Sequence, residues 1–178
     1  MKFTTVEKQH WKSIKKLYLE AFPKRERKPF FVLRHCIKSG KGRLFTAAQG
    51  DLLLGFILAI PYEDMVMVDY LAVSANSRNK GTGSFLLNQL CRQFPDKKIL
   101  LLIERLDETA KNAQQRTARR RFYLKNGFIS TGLFTAGAGG DMEILCCGET
   151  VPWEDYLRLQ KYALGNLFFR LSKIKLVQ

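Results

Sequence analysis

The segment from Met65 to Phe94 constrains the fold more than any other part of the chain, because it reads as a strand, a glycine loop and a helix in succession. Residues 65–73 are rich in β-branched and large apolar side chains, which is typical of a strand. The loop that follows contains Arg78-Asn79-Lys80-Gly81-Thr82-Gly83-Ser84. Apolar residues then recur on one face of a helix. This order predicts a fold in which helices are layered on a sheet.

The loop between this strand and this helix is suited to bind an anion. The first amides of a helix have no intrahelical acceptor, and the helix dipole favours negative charge there. Gly81 and Gly83 let a ligand approach the main chain closely, and Arg78 and Lys80 add positive charge. We interpret the loop as a diphosphate site, and the alternative is a helix start with turn glycines and solvated cations. The P-loop pattern is absent, and Leu86 replaces the last glycine of the dinucleotide pattern.

Helical and strand-like patterns alternate along the rest of the chain, which favours an α/β (α+β) fold in one domain of 178 residues. The predicted helices cover residues 8–22, 29–39, 83–94 and 110–125, and the tail from Pro152 onward is also predicted to be helical. The predicted strands cover residues 2–6, 43–49, 52–60, 65–73 and 98–104. A hairpin of residues 128–134 and 141–147 across a glycine-rich turn completes the set.

Charge and cysteine content limit the partners. The formal net charge of +14 favours anionic partners, which include nucleotides, nucleic acid and membrane surfaces. The four cysteines form no Cys-x-x-Cys pair and only two histidines are present, so we expect no metal site. The N-terminus lacks an apolar signal segment and no run is long enough to span a membrane. We therefore expect a cytoplasmic protein without a transmembrane segment.

Two motifs together resemble the GNAT superfamily of acetyltransferases. Arg-x-x-Gly-x-Gly from Arg78 to Gly83, after a strand that ends Leu71-Ala72-Val73, is similar to its acetyl-CoA signature. Downstream, Arg121-Phe122-Tyr123-Leu124-Lys125-Asn126-Gly127-Phe128 is similar to its second motif, a tyrosine near a helix end followed by Gly-Phe. The resemblance covers residues 43–147 and weakens on either side.

The resemblance implies a fold. A GNAT domain over residues 1–150 would have a central, mixed, mostly antiparallel twisted sheet with helices on both faces. Its sheet would split in a V between the strands Met65–Val73 and Lys98–Glu104. Residues 151–178 would then form a helical extension that packs on the domain or on a partner subunit, so a homodimer is compatible with this reading.

The resemblance also implies the ligands and a set of binding residues. Acetyl-CoA would be the acyl donor, and a primary amine of a small molecule or peptide would be the acceptor. Main-chain groups of Leu71, Ala72 and Val73 would contact pantetheine, and one of their amides would polarise the thioester carbonyl. The pyrophosphate would lie on Arg78, Asn79, Lys80, Gly81, Thr82, Gly83 and Ser84, while Asn112 and Tyr123 would reach the pantetheine arm.

Amine attack on a thioester requires removal of one proton and delivery of another. The motif position of Tyr123 implies the general acid, and its alternative is a core aromatic with a satisfied hydroxyl. Glu104 ends an apolar strand and is a candidate general base, or an ordinary strand-end acid paired with Arg105 or another cation. Asp69 and a water chain are further candidates for the base.

Other functions stay open at the level of sequence. The net charge is compatible with a nucleic-acid-associated or ribosome-associated module, although the chain has no aromatic and basic motif of the RNA-binding kind, so we expect no specific nucleic acid. A GNAT-like sensor that binds acyl-CoA without transfer is a second alternative. The basic segment Lys24–Lys28 and the basic, amphipathic tail are each read first as surface or packing features.

Overall fold

The computed structural model describes residues 1–137 and 140–177, and these residues form five α-helices and eight strands. The mixture of elements confirms the predicted α/β class. The strands are β1 (Lys2–Thr5), β2 (Arg43–Gln49), β3 (Leu52–Tyr62), β4 (Met65–Val73), β5 (Lys98–Glu104), β6 (Ile129–Gly137), β7 (Gly140–Cys147) and β8 (Lys175–Val177). The helices are α1 (Trp11–Ala21), α2 (Phe30–Lys38), α3 (Thr82–Gln93), α4 (Ala113–Lys125) and α5 (Trp153–Ser172).

The chain forms two compact units, of which the first contains residues 1–61 and 68–95. Its strands follow the order β1-β2-β3-β4, and β2 pairs antiparallel with both β1 and β3. Helices α1 and α2 cover this part through a cluster of buried apolar side chains that includes Ile14, Tyr18, Leu33 and Phe56. Burial of such side chains is the main term that stabilises the unit.

The second unit contains residues 62–67 and 96–178. Its strands follow the order β5-β7-β6-β8, with antiparallel pairing throughout this group. Gly165 has non-helical torsions (φ 76°, ψ 160°) and interrupts α5. The end of the chain then returns to the sheet, because β8 pairs with β6 between Lys175 and Ala136.

Most of the predicted elements are present, with three differences. The strand β3 was predicted to end before Pro61 but runs to Tyr62. A proline lacks the main-chain amide hydrogen, which costs one hydrogen bond to one neighbouring strand, and the extended backbone can continue through it near a strand end. The tail is helical over α5, as predicted, but it ends in the strand β8. This strand was not predicted, because its three residues are too few to show an alternating pattern. The last hairpin was predicted over residues 128–134 and 141–147, but its strands extend to Gly137 and begin at Gly140, so the turn is shorter than predicted. Residues 138 and 139 of that turn lie outside the described residues.

Within residues 1–137 and 140–177, no helix has the length and apolar character that a bilayer crossing requires. The division into a domain of residues 1–150 and an extension, and the split beside β4, stay predictions.

Candidate functional site

The end of β4 passes into the glycine loop through a short, well-anchored turn. Ser74 donates its amide to the carbonyl of Leu54 at 2.8 Å, which ties the end of β4 to β3. A 3₁₀ turn follows at Ala75–Ser77, and the Ser74 hydroxyl donates to the Ser77 hydroxyl at 2.9 Å. These hydrogen bonds hold the chain between β4 and Gly81 in place, so the start of the glycine loop has a defined position next to β3.

The loop itself has the torsions of a tight turn. Asn79 and Gly81 have positive φ values of 58° and 80°, in the left-handed region that favours glycine and asparagine. The first helical bond of α3 runs from the Phe85 amide to the Gly81 carbonyl at 2.8 Å. In the described part of the chain, the preceding amides of α3, at Thr82, Gly83 and Ser84, donate to no main-chain acceptor.

Cations accompany these amides on the surface of the first unit. Arg78 and Lys80 are exposed, whereas Thr82 is buried. Three adjacent amides at a helix start, with two exposed cations on the preceding turn, form the electrostatic environment that binds phosphate groups. Binding of a diphosphate by this loop stays a prediction.

Gly55 on β3 is a positioning residue that the sequence analysis did not identify. A Cβ atom at this position would lie 2.7 Å from the carbonyl oxygen of Ala72 and 3.4 Å from the Cα of Val73. It would also lie 3.1 Å from Leu86 Cδ1 at the start of α3. Gly55 therefore lets β3 approach the part of β4 that is predicted to contact pantetheine, and a glycine inside a strand pattern was the signal for it.

Asp69, one of the candidate bases, is bound in a network within the same unit. The Lys28 ammonium donates to both Asp69 oxygens at 2.9 and 2.8 Å. The Tyr70 hydroxyl donates to the Glu26 carbonyl and accepts from the Lys28 amide, and the Tyr18 hydroxyl donates to the Lys28 carbonyl. Burial raises the pKa of Tyr70 to about 12. The basic segment that precedes α2 is thus held on β4 through Lys28, so Asp69 has a structural partner.

Glu104, the other candidate base, lies in a cluster of donors in the second unit. Its carboxylate accepts from Asn112 Nδ2 at 3.2 and 3.0 Å and from Arg119 at 3.1 Å. Arg116 approaches the same carboxylate at 3.4 Å. The residue is only 7% exposed, so these contacts replace the water that a strand-end acid would otherwise bind. The carboxylate has few lone pairs left to take a proton from an amine.

Asn112 immediately precedes α4, and both ends of its side-chain amide are engaged. The nitrogen donates to Glu104, while the oxygen accepts from Arg116 Nε at 2.9 Å. Arg116 also donates to the carbonyl of Arg105 at 2.8 Å. The structure thus brings Asn112 and Glu104 into direct contact, and contact of the Asn112 side chain with pantetheine stays a prediction.

A second buried carboxylate, Glu143 on β7, was not identified from the sequence. It is 3% exposed and accepts from Arg120 at 2.9 and 3.1 Å in a bidentate pair. Arg116, Arg119 and Arg120 therefore anchor α4 on two strands through Glu104 and Glu143. The signal in the sequence was an acid directly before the apolar run Ile144–Cys147, together with several arginines on one helix.

Tyr123 lies near the end of α4 with a buried ring and a hydroxyl that makes no hydrogen bond within the described residues. The ring is 9% exposed and packs edge-on against Phe122 and Phe128, with ring centres 5.1 and 5.7 Å away. Burial raises the pKa of the phenol to about 12, against a smaller opposing effect of the Arg119 charge. The phenol is therefore neutral near pH 7, as a proton donor must be.

We expect Glu104→Gln to lower stability more than it lowers catalysis. The amide keeps the size of the side chain but loses the charge that Arg116 and Arg119 contact, at a cost of about 1–3 kcal/mol. The free energy of unfolding and kcat are measured for the variant and for Glu143→Gln, a matched change in the other buried carboxylate. A loss of kcat of about 100-fold or more in Glu104→Gln alone, with unchanged stability, would instead identify Glu104 as the base.

Metal ligation finds no support in the described part of the chain. No three or more histidine, cysteine, aspartate or glutamate side chains come together there in a way that would hold an ion.

Comparison with known proteins gives a family and a fold. Residues 40–130, about half of the chain, match the family model of the acetyltransferase (GNAT) domain. No protein of curated function is significantly similar in sequence.

Several solved structures are similar over nearly their whole length. A protein of Bacteroides thetaiotaomicron assigned to the GNAT family is 21% identical, with 95% of this chain and 98% of that chain covered and a TM-score of 0.71. An aminoglycoside 6′-N-acetyltransferase in complex with coenzyme A is 17% identical, with 85% and 98% covered and a TM-score of 0.66. The ribosomal-protein-S18-alanine N-acetyltransferase of Escherichia coli is 16% identical, with 86% and 97% covered and a TM-score of 0.64.

Proposed function

Because the chain belongs to the GNAT acetyltransferase family, whose members use acetyl-CoA as donor, we propose that it transfers the acetyl group from acetyl-CoA to a primary amine with Tyr123 as general acid. The observation that carries this proposal is the loop from Arg78 to Ser84. Its free amides at the start of α3 and its exposed cations have the chemistry that a diphosphate requires.

The reaction requires that a C–N bond form at the thioester carbonyl while the C–S bond breaks. The amine nitrogen attacks the carbonyl carbon, and an amide at the end of β4, from Leu71 to Val73, stabilises the oxygen as negative charge develops on it. The sulfur leaves with its electron pair and takes the proton of Tyr123, which later regains a proton from water. The position of Tyr123 in the second motif supports this role, and burial keeps its hydroxyl protonated over a wide pH range.

The proton of the attacking amine goes to water in this proposal. Both carboxylates that the sequence suggested as bases already have cationic partners: Asp69 contacts Lys28, and Glu104 contacts Arg116 and Arg119. Each cation occupies lone pairs that a base would need. A water molecule can accept the proton that the amine loses, and an amine that binds in its neutral form needs no base before it attacks. Neither route requires Asp69 or Glu104.

The proposed function is tested first by binding and then by turnover. Acetyl-CoA at about 100 times its Kd should stabilise the protein by about 2.7 kcal/mol, or roughly 5–10 °C in Tm. Acetyl-pantetheine, which lacks the diphosphate, is the matched control and should shift Tm far less. Release of free CoA thiol is then followed with amino acids, aminoglycosides, polyamines, peptides and simple hydrophobic amines as acceptors.

Three outcomes separate the alternatives. Thiol release that depends on one class of amine supports acetyl transfer. A Tm shift with acetyl-CoA but no thiol release with any amine indicates an acyl-CoA sensor. The absence of any shift would remove the diphosphate site and with it the proposed function.

A further inference from the structure

A pocket of about 240 Å³ lies under α5 in the second unit, and none of its lining residues is one that the motifs identify as a CoA contact. Leu102 of β5, Met142 of β7 and Leu164 of α5 supply apolar walls. Ile174, on the segment between α5 and β8, closes another side. A cavity of about 150 Å³ is enough for a benzene ring, so this pocket has room for a ring with a short chain.

The last part of the chain is shaped to cover this pocket. Gly165 interrupts α5 directly after Leu164, and the chain then passes through Ser172 to β8. A Cβ atom at Gly137 would lie 3.0 Å from the Ser172 carbonyl oxygen, so the segment after α5 rests directly on the main chain of β6. Because Gly137 has no side chain, the end of α5 can pass close to β6 at one edge of the pocket.

One wall of the pocket carries polar groups, and all of them are uncharged. Thr135, Tyr156 and Gln160 line it, and each is buried. Burial raises the pKa of the Tyr156 phenol, so this hydroxyl keeps its proton. The Gln160 nitrogen donates to the sulfur of Met67 at 3.2 Å, which is a weak acceptor. Thr135 and Gln160 also interact with the Tyr156 hydroxyl, so the polar groups of this pocket pair mainly with one another and favour a largely apolar occupant.

No charged side chain is among the described residues that line the pocket. A polyamine or an aminoglycoside carries several ammonium groups, and burying any of them without a counter-ion costs several kcal/mol. The net charge of +14 adds a second, long-range penalty for such molecules. A compact apolar body with a single polar group avoids both costs, because its apolar area is buried favourably.

We propose that this pocket receives the body of the acceptor, which makes the acceptor a small hydrophobic monoamine and not a polycation. This inference rests on the proposed acetyl transfer for its link to catalysis. Met142 supports that link, because it lines the pocket and is the cross-strand partner of Glu104. Glu104 ends β5, which is one of the two strands between which the GNAT resemblance places the split of the sheet.

The same environment assists the chemistry of the amine. Apolar surroundings without a carboxylate disfavour an ammonium ion and lower the pKa of a bound amine. The neutral amine is the form that attacks a thioester. The pocket therefore supplies part of what a general base would supply, in agreement with the structural partners of Asp69 and Glu104.

The test uses the full chain with three probes, one of which carries no amine. Binding of 2-phenylethanol, which has the ring and chain but no amine, is measured by ligand-observed NMR without acetyl-CoA. Thiol release is measured in parallel with 2-phenylethylamine and with spermidine. Leu164→Trp fills the pocket, and Leu167→Trp, at a position 66% exposed on the same helix, is the matched control.

We expect wild type and Leu167→Trp to bind 2-phenylethanol alike, and Leu164→Trp to bind it at least tenfold more weakly while keeping its Tm shift with acetyl-CoA. Ile174→Trp, which fills the pocket from another wall, should repeat the result if Leu164→Trp fails to fold. Equal binding by the filled and control variants, or displacement of 2-phenylethanol by spermidine, overturns the proposal. If 2-phenylethanol binds but no amine causes thiol release, the result supports the class of ligand proposed for the pocket and contradicts only the proposed acetyl transfer.

Discussion

Tyr123→Phe is expected to lower kcat for acetyl transfer about 100-fold or more, with the Kd for acetyl-CoA changed less than about threefold. The variant loses only the hydroxyl, because the ring keeps its contacts with Phe122 and Phe128. Without a proton donor, the sulfur must leave as a thiolate, and the transition state loses that stabilisation. The hydroxyl makes no hydrogen bond within the described residues, so its removal should leave the stability of the folded protein nearly unchanged.

The measurement compares single-turnover thiol release and acetyl-CoA binding in wild type and variant. Tyr62→Phe, the same chemical change on a partly buried tyrosine outside the motif, is the control and should keep full activity. An unaltered kcat in Tyr123→Phe removes the acid assignment and leaves Tyr123 as a core aromatic.

The pH dependence gives an independent check of the same residue. Burial raises the pKa of Tyr123 from the usual 10.0 to about 12, so the protonated form is retained at pH values where a solvated tyrosine would ionise. Activity that needs this proton is lost only as pH rises through about 12. We therefore expect no fall in kcat from this group between pH 8 and pH 10, and a fall centred near 10 would contradict the buried environment.

Strands that are apolar and bounded by turn residues were predictable to the residue. The predicted bounds of β2, β4 and β5 coincide with the structure, because each run of apolar residues begins and ends beside glycine, charge or a turn. The loop at Arg78–Ser84 was predictable for a related reason, since a strand, two glycines and a helix leave few alternatives. Local sequence was thus sufficient to predict the strand and loop that are proposed to bind acetyl-CoA.

Features that depend on distant partners were not predictable. From the sequence, Glu104 could be a general base or an acid paired with a cation. Its partners are visible only in the fold, which places Asn112, just before α4, and Arg119, within α4, against its carboxylate. The strand β8 exists because β6 offers an open edge, which three residues cannot indicate by themselves. The pocket under α5 likewise requires residues from β5, β7 and the tail at once.

The net charge of +14 was the sole support for a nucleic-acid module. Arg116, Arg119 and Arg120 contact the carboxylates of Glu104 and Glu143, and Lys28 contacts Asp69. These four cations stabilise the fold, and the three carboxylates offset all but one of their charges. With family membership established by the match over residues 40–130, the net charge alone gives no reason to favour a nucleic-acid module.

Gly55→Ala is expected to raise the Kd for acetyl-CoA at least tenfold and to lower stability by about 1–3 kcal/mol. The added Cβ atom would lie 2.7 Å from the Ala72 carbonyl oxygen, which is main chain and cannot rotate away. Either β3 or β4 must move, and the segment displaced on β4 is the one proposed to contact pantetheine. The effect on binding should therefore exceed what the loss of stability alone would produce.

Gly42→Ala provides the matched control, since it introduces a contact of similar closeness in the same unit. Its Cβ atom would lie 2.8 Å from Cys36 Sγ, which is the end of a side chain and can change rotamer. We expect this variant to keep the Kd for acetyl-CoA and to lose less stability, as measured by chemical denaturation and isothermal titration. If both glycine variants bind acetyl-CoA as wild type does, the end of β4 does not contact the donor, and the amides of Leu71, Ala72 and Val73 cannot polarise its thioester.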